Sequence, residues 1–409
     1  MRKIIVVAVM LGTMVLAQSS DAKSLDDILK EKGVISDDEY KEAQKSKPVD
    51  YKPGKGITLT TSDQKFQTTI GGALQIRYTY LDNENSASTD DSEFRIRNAK
   101  LWAVGYAFEK DFTYNFQVNF AGTNSTKFLE YAYLNYKFVD EAQILVGENK
   151  VPFNRGWLSP FSALEFIDRS IASDTFRPGY DIGVMPWGKV KKGMFNYNAG
   201  IYGGVGQNTL RTTDKAAYVA RATFNPLGDM SYNEGDVDNS PKPLLSIGAN
   251  YWYDTLRATR TGTTTTLETN NLNLLWLNNN LSVFTQTEDL NIDQYGFDAA
   301  FKWRGFFAQA EYLDGRAVGN NSSTVLHAYG FYGQAGYFII PQKLEAALRY
   351  SYVDPNRNRS NNLHTETEVV ISYFFYKHNL KIQGDYTDIQ DESSAGDGDR
   401  IRIQAQIVF

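Results

Sequence analysis

The chain has no cysteine and only three histidines in 409 residues. An exported protein of this size must then hold together without disulfides, and thiolate metal sites are excluded. His327, His364 and His378 are far apart in sequence, and neither an HExxH motif nor a GxSxG nucleophile elbow occurs, so no catalytic residue, metal site or cofactor is expected. A basic block is missing too, and the net charge of −6 argues against nucleic acid as a partner. Past the first two dozen residues the sequence has no long unbroken apolar run. A bilayer-spanning helix needs about 18 or more such residues, so any membrane crossing must be made by strands.

Aromatic residues, by contrast, are plentiful. They make up 14% of the chain, with 26 Tyr and 24 Phe, while the mean hydropathy is −0.42. That pairing fits strands on which apolar and polar residues alternate. The length alone allows two or three soluble domains or one large barrel. Arg2 and Lys3, the apolar stretch from Ile4 to Ala17 and the segment Ser20-Asp21-Ala22 read as a signal peptide over 1–22, cleaved after Ala22 or alternatively after Ala17. Residues 23–46 read as a short helical periplasmic segment, two helices broken at Gly33, the second opened by a capping box of Ser36 and Glu39. Pro48, Pro53, Gly54 and Gly56 lie among lysines, so 47–65 is expected to be a linker.

From residue 66 onward the dominant signal is period-2 alternation. Phe112, Tyr114, Phe116, Val118 and Phe120 interleave with Thr113, Asn115, Gln117 and Asn119. The segments beginning at Leu344 and Leu380 repeat the pattern, as does the one from Arg400 to Phe409. One such strand also suits a soluble β-sandwich, but the repetition over the whole segment does not. Counted back from Phe409, short turns alternate with long connections, as in an outer-membrane barrel. The long ones fall at 82–92, 122–126, 151–179, 204–214, 257–291, 317–325, 354–362 and 391–398. The fold expected is all-β: an antiparallel transmembrane barrel over 66–409 of sixteen strands, or eighteen if 257–291 adds a hairpin across the membrane. Alternation in 257–291 is poor, which favours an external excursion. Among the short connections, 226–243 is the one long exception.

Five stretches resemble the phosphate- and polyphosphate-selective porin family: IGGALQIRY at 70–78, FRIRNAKL at 94–101, VGENKVPF at 146–153, RSIASDTFRPGYDIGV at 169–184 and KLEAALRYSYVDPN at 343–356. The resemblance covers nearly all of the mature chain, including EKGVIS before the linker. It implies a sixteen-stranded, usually trimeric channel of the Gram-negative outer membrane that passes small hydrophilic solutes or anions, phosphate among them. Two departures stand out. Strongly phosphate-selective members carry an arginine after the GG of the first motif, where this chain has Ala73, and they concentrate lysines in the inward loop. Here 151–179 offers Arg155, Arg169 and Arg177, with Lys150 at its base, against Glu165, Asp168 and Asp174.

Strand parity sends Arg77, Arg95, Arg97, Arg221 and Arg349 into the lumen with Lys302 and Arg402, opposed by Glu311, Glu345, Glu366 and Glu368. Together with Arg155, Arg169 and Arg177, the first five are the candidate selectivity residues, since permanently charged guanidiniums pair with phosphate or carboxylate oxygens. The plainer reading is that these arginines brace the wall through the lumenal carboxylates. Arg95 and Arg97 stand out through the FRIR motif, which the resemblance places near the upper lumen, and Lys100 on the apolar face of that strand suggests a bulge. The 151–179 loop is the expected constriction, because Phe153, Trp157, Phe161 and Phe166 are buried by folding it inward. GDVDNS at 235–240 lacks the glycine and distal glutamate of a helix-loop-helix calcium site and reads as a solvated turn. Alternatives are a plugged barrel serving as an envelope anchor, with 23–46 making periplasmic contact, or a surface adhesin. Outer-membrane lipid and copies of the chain, as a homotrimer, are the expected partners.

Overall fold

The computed structural model describes residues 25–40, 48–84, 90–121, 128–211, 213–269, 271–393 and 397–409. The expected leader over 1–22 lies outside the described residues. Two compact units divide the chain at Pro48. In the first, a helix runs from Leu25 to Glu31 and Gly33 turns the chain at φ +68°. The capping box then forms as the sequence proposes, with the Ser36 amide donating to Glu39 Oε2 at 2.7 Å and the Glu39 amide to Ser36 Oγ at 3.3 Å.

The second unit is a closed antiparallel barrel of sixteen strands. In chain order they are β1 (Phe66–Asn83), β2 (Asp91–Ala107), β3 (Glu109–Asn119), β4 (Leu129–Val139), β5 (Ala142–Lys150), β6 (Tyr180–Val190), β7 (Phe195–Tyr202) and β8 (Ala217–Phe224). They continue with β9 (Leu244–Thr261), β10 (Glu288–Trp303), β11 (Phe306–Gly319), β12 (Val325–Ile340), β13 (Leu344–Asp354), β14 (His364–Tyr376), β15 (Leu380–Asp391) and β16 (Gly398–Val408). Each strand pairs with its chain neighbours, and β16 closes on β1 in the register Val408↔Ala73 to Gly398↔Asn83. Closure leaves no strand edge unpaired in lipid, which is what allows a sheet to span a membrane.

The barrel is inside-out relative to a soluble fold. On β13, Arg349 is 1% exposed while its neighbours Leu348 and Tyr350 are 54% and 44% exposed. A period-2 strand in a lipid-facing wall requires this arrangement, with apolar side chains outward and charges inward. Ile371, at the middle of β14 and 58% exposed, tests it. Ile371→Arg is expected to weaken the folded barrel by about 2–4 kcal/mol, measured by denaturant titration of protein refolded into lipid vesicles. A loss below about 1 kcal/mol would contradict the lipid-facing assignment.

The segment 257–291 adds no membrane-crossing hairpin. Strand β9 pairs with β10 as far as Ala258↔Glu288, and its last residues, Ala258–Thr261, pair with Thr264–Leu267 in a short external ribbon. The expected linker over 47–65 needs correcting, because Val49–Lys52 and Gly56–Thr60 form a hairpin. Pro53-Gly54 is its turn, with Gly54 at φ +75°. The flanking alternations of Val49 and Tyr51, and of Ile57 and Leu59, are too short to register beside the prolines and lysines. Ile57–Thr60 pair with Gln67–Ile70 of β1, covering the part of that strand's edge that β16 does not reach.

Candidate constriction site

Two irregularities in the ladder decide which side chains face the lumen. Between β1 and β2 the register passes from Gln75↔Asn98 to Ile76↔Ile96, which leaves Arg97 as an extra residue. This bulge lets Lys100 and Asn98 share the lumenal side with Arg97 and Arg95, which strict alternation forbids. Between β3 and β4, Gln117↔Tyr131 is followed by Val118↔Leu129, leaving Glu130 extra. Glu130 thereby reaches Lys100 at 2.6 Å and accepts from Gln117 at 2.6 Å. Lys100 stands opposite Ala73 in register, the position where the family resemblance leads one to look for an arginine.

The loop 151–179 folds into the lumen, burying Phe153, Trp157 and Phe166 completely or nearly so. Asp168 pins one side of it. Its carboxylate accepts from Arg77 at 2.5 and 3.0 Å, from Arg402 at 3.0 Å and, more loosely, from Arg97 at 3.5 Å. Its backbone carbonyl accepts from both terminal nitrogens of Arg349 at 3.1 Å. Arg349 also pairs with Glu368 and covers the Phe166 ring at 4.2 Å. Burial would raise the Asp168 carboxyl, but the guanidiniums of Arg77, Arg97 and Arg402 hold it well below the usual carboxylate range.

The other side is pinned through Asp298 and Glu311. Asp298 pairs with Arg221 at 2.7 Å and lies 3.7 Å from Arg155. Glu311 accepts from the Arg155 and Gly156 amides at 2.6 and 3.2 Å. From below, the long periplasmic connection 225–243 rises to meet the loop. The Glu234 amide donates to Ala163 O at 2.8 Å, the Glu165 amide to Glu234 Oε2 at 3.0 Å, and Arg221 Nε to the Tyr232 hydroxyl at 3.1 Å. Asp236 is buried and caps the turn, accepting from the Gly305 and Ser240 amides at 2.7 and 2.9 Å. The solvated turn expected at 235–240 is thus a packed one, anchored against the neighbouring β10–β11 turn.

From above, Trp276 in the connection between β9 and β10 is fully buried and stacks on Phe176 of the inward loop at 6.2 Å. Lumenal Leu313, Ala317, Leu326 and Ala328 belong to the same apolar cluster. Much of this side of the lumen is therefore packed like a soluble core, and open space remains in a cavity of about 370 Å³ against the lumenal faces of β2–β6 and in a second of about 390 Å³ bordered by Trp276, His364, Glu366 and Arg400.

Five cations, Arg97, Lys100, Lys150, Arg169 and Arg177, line the first cavity with three carboxylates, Glu130, Asp168 and Asp174. Lys100 and Glu130 satisfy each other, and Arg177 sits 2.9 Å from Asp174. Lys150 donates only to the carbonyls of Trp157 and Ser159, at 2.7 and 3.1 Å. Arg169 likewise donates to Gly156 O and Ser159 O, at 2.8 and 2.7 Å. Neither forms an ion pair among the described residues. Lys150, Arg169 and Arg177 crowd the Trp157 ring at 4.6, 5.0 and 4.4 Å, an arrangement the quadrupole of the ring favours.

Of the eight arginines singled out in the sequence, the structure gathers Arg97, Arg169 and Arg177 at the cavity. It commits Arg77, Arg155, Arg221 and Arg349 to holding the loop. Arg95 lies apart, half-exposed and paired with Glu93 at 3.3 Å, without contact to the loop. Lys100, Arg402 and the Tyr131–Tyr180 pair were not among the candidates. A charge on the apolar side of a strand was the visible signal for Lys100, but its role depends on two bulges.

The chain matches the family described as phosphate-selective porin O and P over residues 68–409. An uncharacterized protein of Aquifex aeolicus (strain VF5) is 25% identical over 284 residues, 61% of this chain, and the chain spans 66% of that relative's length. Among solved structures, the anion-selective porin of Comamonas acidovorans superposes with a TM-score of 0.60 at 10% identity, covering 84% of this chain and 99% of that one. The outer membrane channel DcaP of Acinetobacter baumannii gives 0.55 at 15% identity, over 86% and 99% of the two chains. A trimer form of OmpT from Vibrio cholerae gives 0.53 at 12% identity, over 84% and 99%. At these identities the likeness establishes the fold, and the sequence match over most of the barrel carries the rest. The chain belongs to the phosphate-selective porin O and P family and is an outer-membrane channel.

Proposed function

We propose that the protein is a passive pore for small hydrophilic solutes that prefers anions, working as a homotrimer after export by its signal peptide. The observation that carries this reading is the pair Lys150 and Arg169, side chains on the cavity lining that bond to carbonyl oxygens and form no ion pair among the described residues. Between low-dielectric walls such charges attract anions, and bonds to neutral carbonyls leave their field largely intact. Phosphate falls within this class of solute. The reversal potential across a potassium chloride gradient in a planar bilayer tests the reading: an anion-selective value is expected, followed by block on adding phosphate. Cation preference would leave a general porin.

The packed half of the lumen favours one second reading, a barrel that conducts little and anchors the envelope through periplasmic contacts of residues 23–46. Measurable single-channel conductance separates the two.

A further inference from the structure

The cavity carries more than charge. Tyr131, Tyr180 and Trp157 form an edge-to-face aromatic cluster, with centroids 5.4 Å apart between the tyrosines and 5.0 Å between Tyr180 and Trp157, and Tyr133 extends it at 5.9 Å from Tyr131. Neither the Tyr131 nor the Tyr180 hydroxyl has a hydrogen-bond partner among the described residues. Two further polar atoms on the same lining are buried without a partner: Asn115 Oδ1 and Arg97 Nε. Such atoms are costly unless a ligand or water satisfies them. An inorganic anion needs the cations and nothing else. It gains nothing from a wall of aromatic rings, nor from an amide acceptor such as Asn115 Oδ1 or hydroxyls able to bond in either direction. A solute that uses all three has an apolar ring face, hydroxyls on its rim and one acidic group.

We infer that this cavity is a binding site for a monosaccharide bearing a single anionic group, its ring packed against Tyr131 of this cluster, its hydroxyls on Asn115, and its acid on Arg169 and Lys150. The space of about 370 Å³ lies in the range of small-molecule pockets. The site rests on the anion-preferring reading above and narrows it to a substrate class. Affinity must stay modest, since a conducting site has to release what it binds.

The test uses the purified full-length protein in a planar bilayer, with current interruption recorded for glucose 6-phosphate, inorganic phosphate and glucose in turn. Glucose 6-phosphate is expected to reach half-block at a concentration at least about tenfold below either of the other two. Tyr131→Leu, which removes ring and hydroxyl, is expected to raise its half-blocking concentration to near that of phosphate. Tyr131→Phe, which removes the hydroxyl alone, is expected to raise it severalfold, and serves if the leucine variant fails to fold. Equal block by phosphate and glucose 6-phosphate in a channel that still prefers chloride over potassium would overturn the sugar site and leave the anion reading standing. A wild-type channel without anion preference would overturn both.

Discussion

Exchanging Lys150 and Arg169 together for glutamate turns the channel from anion-preferring to cation-preferring, seen as a change of sign in the reversal potential across a potassium chloride gradient. In the native cavity five cations face three carboxylates, and the double replacement inverts that ratio. Neither side chain forms an ion pair among the described residues, so its field acts largely on the passing solute. Glutamine at both positions should bring the channel close to indifference. Screening weakens the effect as salt rises, so the contrast is largest at low ionic strength. An unchanged sign in the glutamate variant would mean that these two side chains do not set the field that passing ions meet.

Asp168→Asn is expected to have the largest effect on stability. The carboxylate holds Arg77 and Arg402 at 2.5 and 3.0 Å, and both arginines are buried. Removing one partner of a buried ion pair typically costs 3–5 kcal/mol. The Asp168 side chain is 26% exposed, so a loss of about 3 kcal/mol is expected, measured as an earlier denaturant transition and accompanied by noisier open-channel current as the loop loosens. The pH dependence follows from the sign of the shift. Because the folded carboxyl is held well below its ordinary value, its contribution is fully present above about pH 4 and is lost as pH falls through the folded value. The stability gap between wild type and Asp168→Asn should therefore be widest at neutral pH and shrink progressively below about pH 4. A gap that does not narrow in acid would show that charge is not what holds the loop.

Much of the barrel was legible because one physical constraint repeats. A strand between lipid and water must alternate, and Phe112 to Phe120 or Leu344 to Tyr352 reveal their facing without knowledge of any partner. Counting from Phe409 gave the alternation of connections that the strand order has, and the poor alternation around Leu274 and Trp276 correctly argued against an added hairpin across the membrane. Period counting fails where the ladder slips. The extra residues at Arg97 and Glu130 put consecutive or unexpected side chains into the lumen, and the pair Lys100–Glu130 exists only because both slips occur. The rise of 225–243 was equally hidden, since its Gly and Asp content reads as a surface turn although Glu234 and Asp236 are buried. Arginine was recognised as a lumenal residue, but which arginines brace and which stay unmatched depends on carboxylates from strands far apart in the chain.

Asp168 also links the two ends of the barrel. Arg77 comes from β1 and Arg402 from β16, the strands that meet when the cylinder closes. The same loop touches that seam again where Ser162 O accepts from Gln406 at 2.9 Å. Before closure the two arginines belong to opposite ends of an open sheet and cannot share one carboxylate. The Asp168 contact is therefore a clasp that can fasten only across the finished seam, and a chain whose final strand has not docked lacks that part of the lock.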